Sequence, residues 1–246
     1  MKLKFKYIFL ILFSIVLSND ANIDYILDKS FNRLKSQDIA FDCDIKVQSI
    51  SKQPEQLKFS FLSHWSDSSS FYAYIKFISP VDYKNIEIWS HHSEDVTVKR
   101  RMPLNKEIVT IENDFEGLDI VSFLNFNNIY DEINSNEISV NNSKFKNEDI
   151  YIIKSFKKKN KRKTIKFYIS KNDYRVIKVE WTNKRGGLNK VLLFEDWENI
   201  NNLNLSKKII FEDIKKKTKT TCKLSNLSLE KLSNEQIELI MLGFGN

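Results

Sequence analysis

The strongest constraint on the fold is a long succession of short segments in which apolar and polar residues alternate. In the segment 41–47 the apolar side chains are Phe41, Cys43, Ile45 and Val47, and the residues between them are polar. Strict alternation is typical of a β-strand with one buried face. Similar segments cover residues 59–65, 71–78, 85–89, 95–100, 148–156, 163–169, 175–182, 190–197, 205–212 and 218–227. Short polar turns separate them, which predicts a large antiparallel meander of about ten or eleven strands.

Three segments have the period of a helix rather than that of a strand. Residues 23–35 carry apolar side chains three and four positions apart, and shorter helices are predicted near residues 117–126 and 234–242. So few helices cannot cover the apolar face of a long flat sheet, and an open sheet of that length usually curls. We therefore predict a mainly β fold, in which a large curved antiparallel sheet forms an incomplete (half) barrel with covering helices around a hydrophobic cavity.

The N-terminus has the layout of a secretory signal peptide. Three lysines within the first six residues precede an apolar run at 7–17, and small and polar residues follow it. The apolar run is shorter than the roughly 20 residues that cross a bilayer; a retained N-terminal anchor is the alternative interpretation. We predict export to the periplasm, with residues 1–19 as the signal peptide and residues 20–246 as a single domain.

The charge of the chain does not indicate a nucleic-acid partner. The formal net charge is +7, and three of the positive charges lie in the predicted signal peptide. The remaining excess of about +4 is mild and favours contact with an anionic membrane surface. The lysine-rich segment 157–163 contains no aromatic residue on which a base could stack. A solvated hairpin tip is its default interpretation, and docking to anionic lipid headgroups or to an acidic partner is the alternative.

The two cysteines, Cys43 and Cys222, lie near the two ends of the predicted domain. In an exported chain they either form a disulfide or remain as two separate thiols in the core. A bridge requires a fold that brings the first and last strands together. The sequence alone leaves both possibilities open.

No arrangement of residues typical of a catalytic or metal site is evident. The chain contains no glycine-rich phosphate loop, no GxSxG motif and no HExxH motif. The pair His91-His92 is predicted to lie in a turn between two strands and has no third metal ligand at a matching spacing. Asp42 and Asp44 fall on the polar face of their strand, and residues 66–70 form a serine-rich loop. We therefore expect a protein that is not an enzyme and that needs no metal or cofactor.

The order of elements and several short motifs resemble the LolA-like superfamily, and within it the outer membrane lipoprotein-sorting protein group. The likeness covers nearly all of the chain after the signal peptide. Its motifs are a strand with Ile88-Trp89, RRMP at 100–103, FEGLD at 115–119, KVEW at 178–181, FEDW at 194–197 and LSKKIIFED at 205–213. The chain departs from the family pattern at Ile120-Val121, where serine or threonine is usual.

The resemblance implies a hydrophobic cavity for the acyl chains of lipoproteins or lipids, and a periplasmic carrier or chaperone that helps deliver them to the outer membrane. It further implies that Arg100 and Arg101 contact a lid helix or a lipid headgroup. The implied partners are lipoprotein acyl chains or phospholipid, together with a membrane surface or envelope transport proteins. The alternative is a non-enzymatic periplasmic interaction or sensor module on the same fold. The residues expected to line the cavity are Phe59, Phe61, Trp65, Phe77, Ile88, Trp89, Met102 and Phe115.

Overall fold

The computed structural model describes residues 23–50, 53–67, 70–93, 96–104, 107–111, 136–157 and 160–245. The predicted signal peptide, the predicted helix near residues 117–126 and Phe115 lie outside these ranges. The described chain is mainly β, its strands pair antiparallel and the sheet is not closed, as predicted. The strands are β1 (Ile39–Ser49), β2 (Glu55–Trp65), β3 (Phe71–Ser79), β4 (Glu87–His92), β5 (Val96–Arg101), β6 (Val109–Thr110), β7 (Glu137–Phe145), β8 (Glu148–Lys157), β9 (Asn160–Ser170), β10 (Val176–Thr182), β11 (Leu188–Ile200), β12 (Leu203–Asp213) and β13 (Thr218–Ser228).

Helices are few in the described ranges. Helix α1 covers residues 23–31, α2 covers Asn234–Met241, and a 3₁₀ turn at Leu242–Phe244 continues α2. Ser233 begins α2 with a capping box, in which its hydroxyl accepts from the amide of Gln236 and the Gln236 side chain accepts from the amide of Ser233. This cap confirms the helix predicted at 234–242.

Two predictions of local structure were wrong. Helix α1 ends at residue 31 rather than 35, because the chain turns there and Ser36 adopts a left-handed backbone with φ of 66°. His91 and His92 lie within β4 and not in a turn, and each ring stacks on an aromatic ring of β3. All eleven predicted strand segments contain a strand, whereas β6 and β7 were not predicted.

The chain divides into two compact units. The larger consists of Leu34–Leu124 and Asn189–Asn246. Its strands follow the order β6-β5-β4-β3-β2-β1-β13-β12-β11. The first strand thus pairs with the last, and Ile45 lies opposite Cys222. This pairing brings the two cysteines onto the same sheet face, where both are buried free thiols.

The smaller unit consists of Met1–Arg33 and Asn125–Leu188, and its described strands follow the order β10-β9-β8-β7. Helix α1 packs against this sheet through the edge-to-face contact of Phe31 with Phe167, whose centroids are 5.8 Å apart. Arg33 follows the helix and lies 3.5 Å from the carboxylate of Asp173. These contacts place α1 over the Phe167 side of β9.

Candidate functional site

A single row of side chains crosses six neighbouring strands of the larger unit. Because directly opposite residues of antiparallel strands point to the same side, the strand register defines this row without ambiguity. We call the side on which it lies the Phe41 face. The members of this Phe41–Val109 row, taken from β1 to β6, are Phe41, Phe61, Ile75, Ile88, Arg100 and Val109.

Aromatic rings concentrate on the Phe41 face. Phe41 stacks on Phe61 with centroids 4.7 Å apart, and Phe59 meets Phe77 at 5.9 Å in the neighbouring row. Phe59 and Phe77 are fully buried, whereas Phe61 and Trp65 keep part of their surface accessible. The partly accessible rings of Phe61 and Trp65 offer apolar surface to a ligand on this face.

Arg100 is the exception on this face. Among the described side chains that β1 to β6 place there, only Arg100 and Glu55 carry a charge, and Glu55 is exposed at the start of β2. The Nε atom of Arg100 is shielded from solvent and has no hydrogen-bond partner. Its cross-strand neighbours in the described chain, Ile88 and Val109, are both apolar.

His92 lies on the same face and does not supply a second positive charge at neutral pH. Burial, with a smaller contribution from neighbouring His91, lowers the pKa of His92 to about 4. Its ring stacks on Phe71 at 4.3 Å, and its Nε2 lies 3.1 Å from the hydroxyl of Ser90. Nδ1 is buried without a hydrogen-bond partner. The positive charge on this part of the face therefore comes from Arg100.

The opposite side of the same strands, which we call the Trp89 face, is covered by the C-terminal segment. Trp89 is fully buried there, and its Nε1 donates to the carbonyl oxygen of Leu239 at 2.9 Å. Gly243 lies so close that an added Cβ would stand 2.2 Å from Cγ of Trp89. Tyr74, Leu232 and Ile240 complete the buried part of this cluster.

Arg101 belongs to the Trp89 face and forms an ion pair with Glu87. Its guanidinium lies 5.3 Å from the ring centroid of Trp89, and its Nε donates to the carboxylate of Glu87 at 2.7 Å. The hydroxyl of Tyr74 donates to the other oxygen of Glu87 at 2.6 Å. Burial and this hydrogen bond raise the pKa of Tyr74 above its usual range. Arg101 thus balances a buried carboxylate and has a structural role.

The structure divides the residues expected to line one cavity. Trp89 and Arg101 lie on the Trp89 face, Met102 is partly exposed just after β5, and Phe115 is outside the described ranges. Arg100 lies on the Phe41 face, so the adjacent side chains of Arg100 and Arg101 point to opposite sides of the sheet. The residues that the structure brings together on the Phe41 face are Phe59, Phe61, Trp65, Phe77 and Ile88.

Phe41 and Ile75 were not among the residues predicted to line the site. Phe41 alternates in phase with the apolar residues of β1, and Ile75 alternates in phase with Phe77 in β3. The alternation was therefore a sufficient signal to place them on a buried face. Their alignment with Arg100 depends on the register between strands, which alternation alone does not give.

A second surface lies on the smaller unit and is rich in lysine. Part of the predicted lysine-rich segment 157–163 lies outside the described ranges; of the rest, Lys157 at the end of β8 lies opposite Asn160 at the start of β9. On one face of these strands Lys154 stands directly opposite Lys166, so two like charges are neighbours there. Glu180 of β10 lies opposite Lys166 on the same face of the sheet. It forms an ion pair with Lys178 at 2.6 Å.

No helix in the part of the chain that the structure describes combines the length and the apolar character needed to cross a membrane. Within the same ranges there is no group of three or more His, Cys, Asp or Glu side chains placed to hold a metal ion.

Comparisons with known proteins give a family and a fold. A family model described as an uncharacterized protein matches residues 113–237, about half of the chain. No curated protein matches the chain by sequence.

Several solved structures are similar in fold. A DUF1329 family protein from Desulfovibrio piger superposes with a TM-score of 0.70 and 18% identity, covering 89% of this chain and 96% of that one. A domain described as an outer membrane lipoprotein-sorting protein, from Vibrio parahaemolyticus, gives 0.69 and 14%, covering 92% and 98%. A LolA superfamily protein from Nitrosomonas europaea gives 0.58 and 14%, covering 86% and 95%. At these identities the likeness establishes a LolA-like fold and leaves the function to the residues of the site.

Proposed function

The chain belongs to the family of proteins whose model matches residues 113–237. From its LolA-like fold and the apolar side chains of the Phe41 face we propose that it is a periplasmic carrier of acyl chains. It holds the chains of lipoproteins or lipids on the Phe41 face and helps deliver them to the outer membrane. The observation that carries the proposal is the Phe41–Val109 row, in which apolar side chains continue across four strands, β1 to β4, and reach Arg100 on the fifth.

The physical requirement for such a carrier is a large apolar surface. Each CH₂ group of an acyl chain gains about 0.8 kcal/mol when it leaves water, so an unshielded chain cannot cross an aqueous compartment. The rings on the Phe41 face offer apolar contact without covalent chemistry, and the proposal assigns no enzymatic step to the protein. We place the acyl contacts at Phe59, Phe61, Trp65, Phe77 and Ile88, with Phe41 and Ile75 added.

The other residues predicted for the site have separate roles in the proposal. Met102 follows β5 and is 38% exposed, a position suited to the rim of the site. Phe115 is retained as a lining residue on the strength of the family resemblance. Trp89 and Arg101 are reassigned to the packing of the C-terminal segment, because their contacts are made on the other side of the sheet.

Export and membrane contact complete the proposal. Residues 1–19 would direct the chain to the periplasm, and the anionic surface of a membrane is the proposed docking partner of the lysine-rich face. Lys154 and Lys166 present their charges side by side on that face, where each lysine near an anionic bilayer contributes about 1 kcal/mol of attraction.

The proposal is tested by lipid uptake. Protein purified from its host should carry lipid detectable by mass spectrometry, and it should move a labelled lipid between donor and acceptor vesicles. Phe61→Ala should reduce transfer several-fold, because it removes a partly accessible ring from the Phe41 face. Leu62→Ala is the matched control, since Leu62 is the next residue of β2 and packs on the Trp89 face.

Two outcomes would contradict the carrier role. Protein free of lipid that takes up no labelled chain would remove the proposal. A stable protein partner captured without lipid transfer would favour the interaction or sensor module instead.

A further inference from the structure

Arg100 stands at the end of an apolar row as an isolated cation, and we infer from this that the site selects a lipid with an anionic headgroup. The carboxylate or phosphate of that headgroup binds the guanidinium of Arg100, and the acyl chain lies along the Phe41–Val109 row. The inference rests on the proposed function and names the class of lipid that the site prefers. A neutral lipid of the same length would lack the ionic contact.

The isolation of the charge is the first observation. The described neighbours of Arg100 on its face are Ile88 and Val109 across the strands, with Val98 two residues earlier in β5. Glu55, the other charged residue on this face of β1 to β6, lies three strands away at the start of β2. No ion pair within 4.0 Å joins Arg100 to any carboxylate of the described chain, whereas neighbouring Arg101 is paired with Glu87.

The unsatisfied donor is the second observation. The Nε of Arg100 is inaccessible to water and donates no hydrogen bond. A buried donor without a partner is unfavourable, the more so when it belongs to a charged group, and native proteins rarely retain one without a functional reason. Guanidinium groups match carboxylate and phosphate with two parallel hydrogen bonds. An anion at this position therefore satisfies both the charge and the donor.

The surroundings favour a lipid anion over a free one. The row that leads to Arg100 is apolar over four strand spacings, from Phe41 in β1 to Arg100 in β5, or about 19 Å. One acyl chain spans about 15 Å, half of the hydrocarbon thickness of a bilayer. The row is thus long enough to hold one chain with its headgroup at Arg100. His92 is neutral at pH 7 and does not compete for the anion.

The test compares ligands that share a chain and differ in the headgroup. Hexadecanoate, hexadecyl phosphate and hexadecanol are each titrated into purified protein loaded with the neutral fluorescent dye N-phenyl-1-naphthylamine at pH 7.5, and loss of dye fluorescence measures their affinity. We expect at least one of the two anions to bind about tenfold more tightly than the alcohol, the gain of one desolvated charge-assisted pair. The carboxylate and phosphate arms show which headgroup the site prefers.

The variants identify Arg100 as the origin of that preference. Arg100→Met should abolish the preference for the anions and leave the affinity for hexadecanol within about twofold, and Arg100→Lys should retain part of it. Lys46→Met is the matched control, because it removes one exposed positive charge from the opposite face of β1. Circular dichroism and thermal unfolding confirm that each variant is folded.

Each outcome decides a separate question. Equal affinity of the wild-type protein for all three ligands, or a preference that survives in Arg100→Met, overturns the inference and leaves the carrier proposal intact. Displacement of hexadecyl phosphate by millimolar inorganic phosphate would show a site for free phosphate and also overturn it. If neither the dye nor any of the three ligands binds, the carrier proposal itself fails.

Discussion

The indole Nε1 of Trp89 donates a 2.9 Å hydrogen bond to the carbonyl oxygen of Leu239, 150 residues later in the chain. Trp89 points away from the Phe41 face, so this bond fixes the C-terminal segment on the side opposite the candidate lipid site. The close approach of Gly243 to the same indole ring strengthens the attachment. The C-terminal segment therefore packs against β4 on the Trp89 face and leaves the Phe41 face uncovered by its own residues.

Gly243→Ala should destabilise the protein. An alanine Cβ would stand 2.2 Å from Cγ of Trp89, so either the ring or the 3₁₀ turn has to move. We expect a loss of about 2–4 kcal/mol in the free energy of unfolding, measured by urea denaturation. Leu242→Ala is the control, because Leu242 is exposed and should change stability by less than about 1 kcal/mol. A neutral effect of Gly243→Ala would show that the C-terminal segment is not held against Trp89.

Glu87→Gln should lower the free energy of unfolding, because it breaks the buried ion pair with Arg101. The change leaves Arg101 beside Trp89 without a counter-charge and weakens the hydrogen bond from Tyr74. We expect a loss of about 2–4 kcal/mol in unfolding free energy. Combining it with Arg101→Met should cost less than the two single changes added together, because the pair is then removed as a unit.

The control for this prediction is an exposed ion pair of the same sheet. Lys219 and Glu212 are 2.9 Å apart and nearly half exposed. Glu212→Gln should change stability by no more than about 0.5 kcal/mol. An equal effect of the two glutamate substitutions would contradict the role assigned to burial.

His92 should make the folded state sensitive to mild acid. Its pKa is about 4 in the folded protein and near 6.5 when unfolded, so only the unfolded chain binds the proton between these values. Above pH 6.5 the imidazole is neutral in both states and does not reduce the free energy of unfolding. As the pH falls from 6.5 to about 4, the free energy of unfolding decreases by up to about 3 kcal/mol, because the unfolded chain gains the proton first. Urea unfolding of wild type and His92→Phe across this pH range measures it.

The result for the variant decides that prediction. Phenylalanine keeps a flat ring stacked on Phe71 and cannot bind a proton, so the slope of stability against pH should become shallower in this window. An NMR titration of the His92 ring near pH 6.5 instead of pH 4 would contradict the assigned burial.

Cys43 and Cys222 should be two protected thiols rather than a disulfide. Their mutual hydrogen bond and their burial raise the pKa of Cys43 above its usual range, which suppresses the reactive thiolate. A chromogenic thiol reagent at pH 8 should therefore react slowly with the native protein, and it should count two thiols after unfolding without reductant. Lys76→Cys supplies an accessible thiol for comparison. A count of zero after unfolding would establish a bridge.

The sequence predicted the strands better than it predicted which side chains meet. Alternation identified β1 to β3 because a strand with one buried face has apolar residues at every second position. β7 was missed because its second half, Asn141 to Lys144, is polar and exposed, and the strand depends on pairing with β8. Local sequence does not record such a partner.

The candidate site shows the same limit. Adjacent residues of a strand point to opposite faces, so Ile88 and Trp89, or Arg100 and Arg101, could never line one surface together. The sequence could therefore have separated each pair. It could not have told that α2 covers the Trp89 face, because that choice depends on contacts with Leu239 and Gly243, far along the chain.

The pairing of β1 with β13 has a consequence for the way the protein is made. Ile45 finds its partner Cys222 only after the residues between them have been synthesised, and contacts between such distant residues form slowly. The strands on either side of this pair therefore cannot join into one sheet of the larger unit until β13 has emerged from the ribosome. Completion of that sheet is thus a late step in the folding of the protein.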